Sequence, residues 1–274
     1  MTRFTVQLVA VVFACYVGLC YFAYRRYRAA LFPTPQEKMP VAIPGATLLQ
    51  LHAADGVIVH ALHDPAPEGG RTVVYFHGNN DTIGQSCGFA MDLHARGLGA
   101  MLVEYRGYGL SHGASSEGEK PTEAGLYADA RAALDALDGL GVHHDDIVLW
   151  GTSLGTGIAA QMAREHRGSA LVLVSPYTSI IELGAHYFPF LPAGWIVRDR
   201  FDTLSKARDI RVPTLIVHGD ADEVIPYSMG LRLVQAIEGA ELITVRGGHH
   251  NDLFQLDGTH LMGLLAAFSM TERS

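Results

Sequence analysis

The chain opens on a run with no charge from Phe4 to Tyr24, broken only by Thr5, Gln7 and Gly18. Twenty-one residues at about 1.5 Å each make a helix of roughly 31 Å, the thickness of a bilayer core. Tyr16, Tyr21 and Tyr24 crowd its C-terminal part, and Arg25, Arg26 and Arg28 follow at once. Aromatic and then basic residues at one end of an apolar run suit a membrane interface. A cleaved signal peptide would have a shorter apolar core and a small-residue cleavage site. This run is longer and ends in Tyr24-Arg25-Arg26. The expectation is an uncleaved anchor over residues 1–30, with the membrane met through residues 4–24. Three Arg and Lys38 on the C-terminal flank, against Arg3 and the α-amino group, place the remaining chain on the cytoplasmic side. Pro33, Pro35, Pro40 and Pro44 then predict an extended linker over residues 31–45.

From residue 46 to 274 the pattern alternates. Short, nearly continuous apolar runs predict strands at Ala46–Leu51, Val57–Leu62, Thr72–Phe76, Gly99–Glu104, Ile147–Trp150, Ala170–Val174, Thr214–Val217 and Glu241–Val245. Helical spacing predicts helices over Thr122–Leu137, with Pro121 in the first turn, and over Leu154–His166, Met229–Ile237 and Asn251–Phe268. Asp55-Gly56 between the first two strands is a hairpin signal. The later strands are separated by helix-length segments and should be parallel with right-handed crossovers. The fold class is α/β: a mostly parallel sheet of about eight strands with helices on both faces.

Composition narrows the function. Charged residues make up 18% of the chain and the net charge is −8, with no long basic run, so nucleic acid is not an expected partner. Three cysteines, Cys15, Cys20 and Cys87, cannot form a disulfide framework, and none sits in a metal-type spacing. His143-His144-Asp145-Asp146 precedes a strand and reads as a solvated turn, not a metal site. Cys87 reads as a small buried apolar residue.

The candidate chemistry sits at strand ends. Ile147–Trp150 runs into Gly151-Thr152-Ser153-Leu154-Gly155, and a helix pattern follows. GxSxG alone is a weak motif, but strand, sharp turn and helix are the context it needs. Gly151 and Gly155 allow the tight elbow, and Ser153 would stand above the sheet at a helix N-terminus, where negative charge is favoured. A serine nucleophile needs a base and an orienting acid. Downstream strands lead into His218–Pro226, which holds Asp220 and Asp222, and into Arg246–Asp252, which holds His249 and His250. The order Ser…Asp…His is that of α/β-hydrolases. The small-residue turn His77-Gly78-Asn79-Asn80 can aim a backbone N–H at a substrate carbonyl, with the Leu154 N–H as the second donor.

These pieces, with Glu104–Ser111 and Ser175–Ser179, resemble the serine-aminopeptidase-like branch of the α/β-hydrolases, near the membrane-anchored α/β-hydrolase domain-containing (ABHD) proteins. The resemblance spans nearly all of residues 40–270. It implies a triad of Ser153, Asp222 and His250, with backbone donors at Asn79 and Leu154, supported by His77, Gly78, Gly151, Gly155 and Tyr105. The family has one His directly before Asn-Asp, which selects His250, and the neighbouring His249 is a departure. Asp220 is left to cap its turn. His77 is read as holding its loop, and Tyr105 with Arg106–Gly109 as building the loop beside the site. No metal or organic cofactor is implied.

The segment from Tyr177 to Ser205 carries Ile180, Leu183, Tyr187, Phe188, Phe190, Leu191 and Trp195 between two strands. It reads either as a short lid over the site or as a crossover helix packed on the sheet. As a lid beside a bilayer, it suggests a small-molecule or lipid-like acyl ester or thioester, or an acylated protein. A serine peptidase and a non-catalytic tethered binding protein are the alternatives. Oligomeric state is not read from the sequence.

Overall fold

Eight strands form one sheet: β1 (Thr47–His52), β2 (Ile58–Asp64), β3 (Thr72–Phe76), β4 (Gly99–Glu104), β5 (Ile147–Thr152), β6 (Ala170–Val174), β7 (Thr214–Gly219) and β8 (Glu241–Val245). Their order in the computed structural model is β1-β2-β4-β3-β5-β6-β7-β8. The structure describes residues 3–36, 43–115 and 118–270. β1 and β2 form the expected antiparallel hairpin, with Gly56 at φ +83° in its turn. β2 also runs antiparallel to β4, and all pairings from β4 to β8 are parallel.

The continuous apolar strands bury both faces, and alternate residues serve two cores. Val74, Phe76, Leu149 and Ile216 face one core. It is closed by α3 (Glu123–Gly139), α4 (Leu154–Arg164) and α8 (Tyr227–Ala236). Val73, Tyr75, Val148, Trp150 and Val217 face the other, closed by α2 (Ile83–His94) and α9 (Leu253–Met270). Thr122 caps α3, its hydroxyl accepting the Gly125 N–H at 3.0 Å, so Pro121 stands just before the cap and outside the helix. α9 is two helices joined at Asp257, where the backbone leaves the helical region. Cys87 on α2 is only half-buried, not buried as expected, and its thiol faces the Ile83 carbonyl.

The N-terminal helix α1 spans Arg3–Leu31. It is long and apolar enough to cross a membrane, and none of its residues is buried. It runs past the three Arg because Ala29, Ala30 and Leu31 favour helix and no breaker comes before Pro33. The start of the expected linker is packed rather than free. Phe32 is buried against Phe201, and the Pro35 carbonyl accepts the Gly109 N–H at 2.8 Å. Pro40 and Lys38 lie outside the described residues. Asp199, itself buried, accepts from Tyr27 Oη at 2.8 Å, Arg28 Nε at 2.7 Å and the Glu123 N–H at 2.9 Å. One carboxylate thus pins the end of α1 to the start of α3, where the helix dipole also favours it.

Between β6 and β7 the chain makes three short helices: α5 (Ile180–Tyr187), α6 (Ala193–Ile196) and α7 (Thr203–Lys206). Ser179 caps α5 by accepting the Glu182 N–H at 3.1 Å. Ile180 and Leu183 pack on the first core, while Tyr187, Phe188, Phe190 and Trp195 are exposed. The segment is therefore neither a plain crossover helix nor detached from the body. Its inner side packs like a crossover, and its far end projects.

Candidate active site

The turn after β5 is set by sterics. A Cβ on Gly151 would run into the Gly155 backbone, and one on Gly155 would overlap the carbonyl of Phe76 in β3. Only glycine at both positions lets the elbow pack this tightly against the neighbouring strand. Ser153 between them is held at φ +50°, ψ −116°, a conformation L-residues rarely adopt. Its N–H bonds the Val174 carbonyl at 2.9 Å, which fixes the strained residue to β6. Leu154 begins α4, so its N–H is a first-turn donor with no intrahelical acceptor.

His250 bridges two side chains that lie far apart in sequence. Its Nε2 is 3.0 Å from Ser153 Oγ, and its Nδ1 is 2.8 Å from Asp222 Oδ2. The Asp222 side chain is fully buried. Its Oδ1 accepts the N–H groups of Val224 and Ile225 at 2.9 and 2.8 Å, so the loop that carries it also holds it. His218 Nε2 lies 3.3 Å from Oδ2 and 3.0 Å from the Ile225 carbonyl. Burial would raise the Asp222 pKa, but the bonds from His218, His250 and the Ile225 N–H outweigh it and hold the carboxyl well below its usual range. A depressed carboxyl pKa adds stability that is whole above the unfolded value of about 3.9 and is lost as pH falls below it. The melting temperature should therefore drop on acidification below about pH 4, and this drop should be shallower in Asp222→Asn, measured by a thermal melt series.

The neighbouring histidine points elsewhere. His249 is exposed, and its Nδ1 lies 3.0 Å from Glu223 Oε2; the hydrogen bond to this carboxylate, and then its charge, raise the imidazole pKa. Asp220 accepts the Gly247 N–H at 2.6 Å and ties the β7 loop to the β8 loop. Of the two acids and two histidines in these loops, the structure brings Asp222 and His250 to Ser153.

Gly78 lies against Ser153: a Cβ built on it would be 3.7 Å from that of the serine. Asn79 follows in the turn after β3. Beneath this turn His77 is buried, with Nδ1 2.7 Å from the Gly78 carbonyl and its ring centroid 4.1 Å from that of Tyr105, tilted by 32°. Tyr105 Oη donates to the His77 carbonyl at 2.9 Å. Burial lowers the His77 pKa, and Glu104, 3.6 Å from Nε2, more than reverses this. His77 and Tyr105 thus brace the turn from below.

The loop after β4 rests on Arg106. Its guanidinium is buried and bonds Asp129 on α3 at 2.7 Å and Asp55 of the hairpin at 2.6 Å. Asp129→Ala takes away the fully buried partner and leaves Arg106 only the half-exposed Asp55, so it should cost about 3 kcal/mol in urea unfolding.

Two contacts were not legible as site features. His218, four residues before Asp222, read only as the start of the acid-bearing loop. Tyr187, on the segment after β6, reaches the Glu223 and Val224 carbonyls beside Asp222 at 2.5 and 3.0 Å. A His at a strand end before an Asp loop was the available signal for the first, and nothing in the sequence marks the second.

With this geometry in hand, comparison with known proteins gives a consistent result. The family model for serine aminopeptidase S33 matches residues 68–205, and a TAP-like protein model matches residues 191–258. The chain belongs to the serine aminopeptidase S33 family of hydrolases. It is 31% identical over 268 residues to the uncharacterised Mycobacterium tuberculosis protein Rv2307c, covering 95% of this chain and 93% of that one. It is 35% identical over 191 residues to mouse alpha/beta hydrolase domain-containing protein 17C, covering 69% of this chain and 57% of that one. The chain thus spans just over half the length of that ABHD relative. The esterase Pf2001 of Pyrococcus furiosus superimposes with a TM-score of 0.67 at 17% identity, over 86% of this chain and 98% of that one. The α/β hydrolase GrgF of Penicillium gives 0.68 at 18%, over 83% and 98%. This family member therefore has the α/β-hydrolase fold and hydrolase ancestry.

Proposed function

We propose that the protein is a serine hydrolase that cleaves acyl esters or thioesters through an acyl-enzyme on Ser153. The observation that carries the reading is His250, within hydrogen-bond reach of both Ser153 Oγ and Asp222. Ser153 Oγ attacks the substrate carbonyl carbon while its proton passes to His250 Nε2. Asp222 fixes the imidazole tautomer and stabilises the imidazolium. The N–H groups of Asn79 and Leu154 hold the oxyanion, each such donor being worth about 3 kcal/mol in the transition state. The tetrahedral adduct collapses, the bond from carbon to the alcohol or thiol breaks, and His250 returns the proton to the leaving group. Water then gives a proton to His250 and its oxygen to the acyl carbon. The acid leaves, and Ser153 regains its hydrogen.

The chemistry needs no metal and no organic cofactor. A peptidase of this family would need a group to bind a free substrate amine. The mainly apolar lining near Asn79, described below, favours an acyl chain instead. We further propose that residues 4–24 span a membrane, that the linker follows α1 after Leu31, and that the hydrolase domain faces the cytoplasm. The charge of Arg25, Arg26 and Arg28 supports that orientation. Protease digestion of intact cells should spare the domain, and digestion there would reverse the orientation.

A fluorophosphonate probe tests the enzymatic reading. It should form one adduct, on the peptide containing Ser153, and none in Ser153→Ala. A non-catalytic binding protein would remain unlabelled.

A further inference from the structure

We infer that the N-terminal helix is itself a wall of the substrate site, and that the acyl chain of a single-chain membrane lipid enters between this helix and the segment after β6. The inference rests on the serine-hydrolase reading above and names the substrate class for it.

A cavity of about 580 Å³ lies between α1 and this segment. Leu19, Phe22 and Ala23 line it from the helix, and Leu183, Phe188 and Leu191 from the other side. Asn79, beside Gly78 and hence beside Ser153, lines it as well. An apolar chain lying here would have its carbonyl end near the serine and the two proposed oxyanion donors. The volume falls in the range of about 300–1,000 Å³ typical of ligand pockets. A methylene takes about the 30 Å³ of a water molecule, so one chain of a dozen or more carbons fits and two long chains do not.

The helix is held in place to serve as a wall. Its C-terminal end is pinned by Asp199 through Tyr27 and Arg28, and Tyr16 Oη donates to the Phe190 carbonyl at 2.9 Å. From Tyr16 to Leu31 the helix rises about 22 Å, so the segment after β6 runs along it well into the apolar run. With residues 4–24 in a bilayer, the tip around Phe190 lies within the leaflet. Phe188, Phe190 and Trp195 are exposed there, Trp195 at 89%, as side chains facing lipid rather than water would be. The chain therefore comes sideways from the leaflet. Tyr187 lines the cavity as well, and its Oη donates to the Glu223 and Val224 carbonyls, which joins this wall to the loop of Asp222. A substrate that enters sideways from the leaflet is a membrane lipid such as a monoacylglycerol rather than a folded acylated protein. For a monoacylglycerol the products are glycerol and a fatty acid, by the two proton transfers given above.

The test uses full-length protein in lipid nanodiscs with monoacylglycerols of graded chain length. Ala23→Trp fills the cavity from the helix side. The ratio of kcat/KM for the dodecanoyl ester over the acetyl ester should fall at least tenfold. Tyr21→Trp, on the exposed side of the same turn, should leave that ratio as in wild type. Phe22→Ala enlarges the cavity and should move the optimum to longer chains, which decides the matter if Ala23→Trp does not fold. Fluorophosphonate labelling of each variant reports an intact Ser153. Retained labelling with an unchanged ratio in both cavity variants would overturn the inference and leave the serine hydrolase standing. A wild type that is never labelled would overturn the parent reading instead. Faster turnover of an S-acylated peptide than of any monoacylglycerol would contradict the lipid assignment.

Discussion

Replacing Ser153 by alanine should lower kcat on a p-nitrophenyl ester by at least about 10⁴-fold, with the fold intact. The serine supplies the only covalent step in the proposed cycle, and losing the nucleophile of a coupled triad removes nearly all that the triad provides. Residual hydrolysis would come from the oxyanion donors and from binding, since the Asn79 and Leu154 amides belong to the backbone and survive the change. Stability should shift little. The substitution removes one partly exposed hydroxyl and keeps the Ser153 N–H bond to Val174. A kcat within tenfold of wild type, with an unchanged melting temperature, would mean that the nucleophile lies elsewhere.

The second large effect concerns the acid. Asp222→Asn should lower kcat by about 10⁴-fold, because an amide facing His250 Nδ1 favours the tautomer that cannot accept the serine proton. Removing His250 should be as damaging. His249→Ala should change kcat less than about threefold, because its imidazole pairs with exposed Glu223 and an exposed ion pair contributes little. The contrast between adjacent histidines separates a triad from a general loss of the loop. If His249→Ala were the damaging change, the arrangement of the β8 loop described above would be the wrong one for catalysis.

Much of this fold is legible in the sequence. Strands buried on both faces must be apolar at nearly every position, so Val73–Phe76, Met101–Val103 and Leu171–Val174 announce themselves without periodicity. The elbow was readable because Gly151 and Gly155 are demanded by backbone contacts, a local constraint that leaves a local mark. α2 was missed for the opposite reason. Gly84, Ser86 and Gly88 weaken its helical signal, and Ile83, Ala90 and Leu93 earn their place only by packing on β4 and Trp150 in the second core. α1 continues past the Arg cluster that suits a bilayer interface, because nothing forbids helix until Pro33.

The site divides in the same way. Ser153 and the two acid and histidine loops could be placed at strand ends from pattern alone. The choice of Asp222 over Asp220 and of His250 over His249 turns on side-chain direction, which tertiary packing fixes and spacing does not. His218 and Tyr187 matter only because distant segments bring them to the acid loop. The cavity between α1 and the segment after β6 joins residues about 170 positions apart, as the Tyr16 to Phe190 bond does. Patterns within one segment carry no trace of such a meeting.

The central claim is a covalent acyl-Ser153 intermediate. Rapid acid quenching of the full-length protein with a slowly deacylating ester, followed by intact and peptide mass measurement, tests it directly. A mass increase equal to the acyl group is expected, confined to the peptide carrying Ser153 and formed at the rate of the product burst. Product release with no adduct at any quench time, or an adduct on another residue, would contradict it.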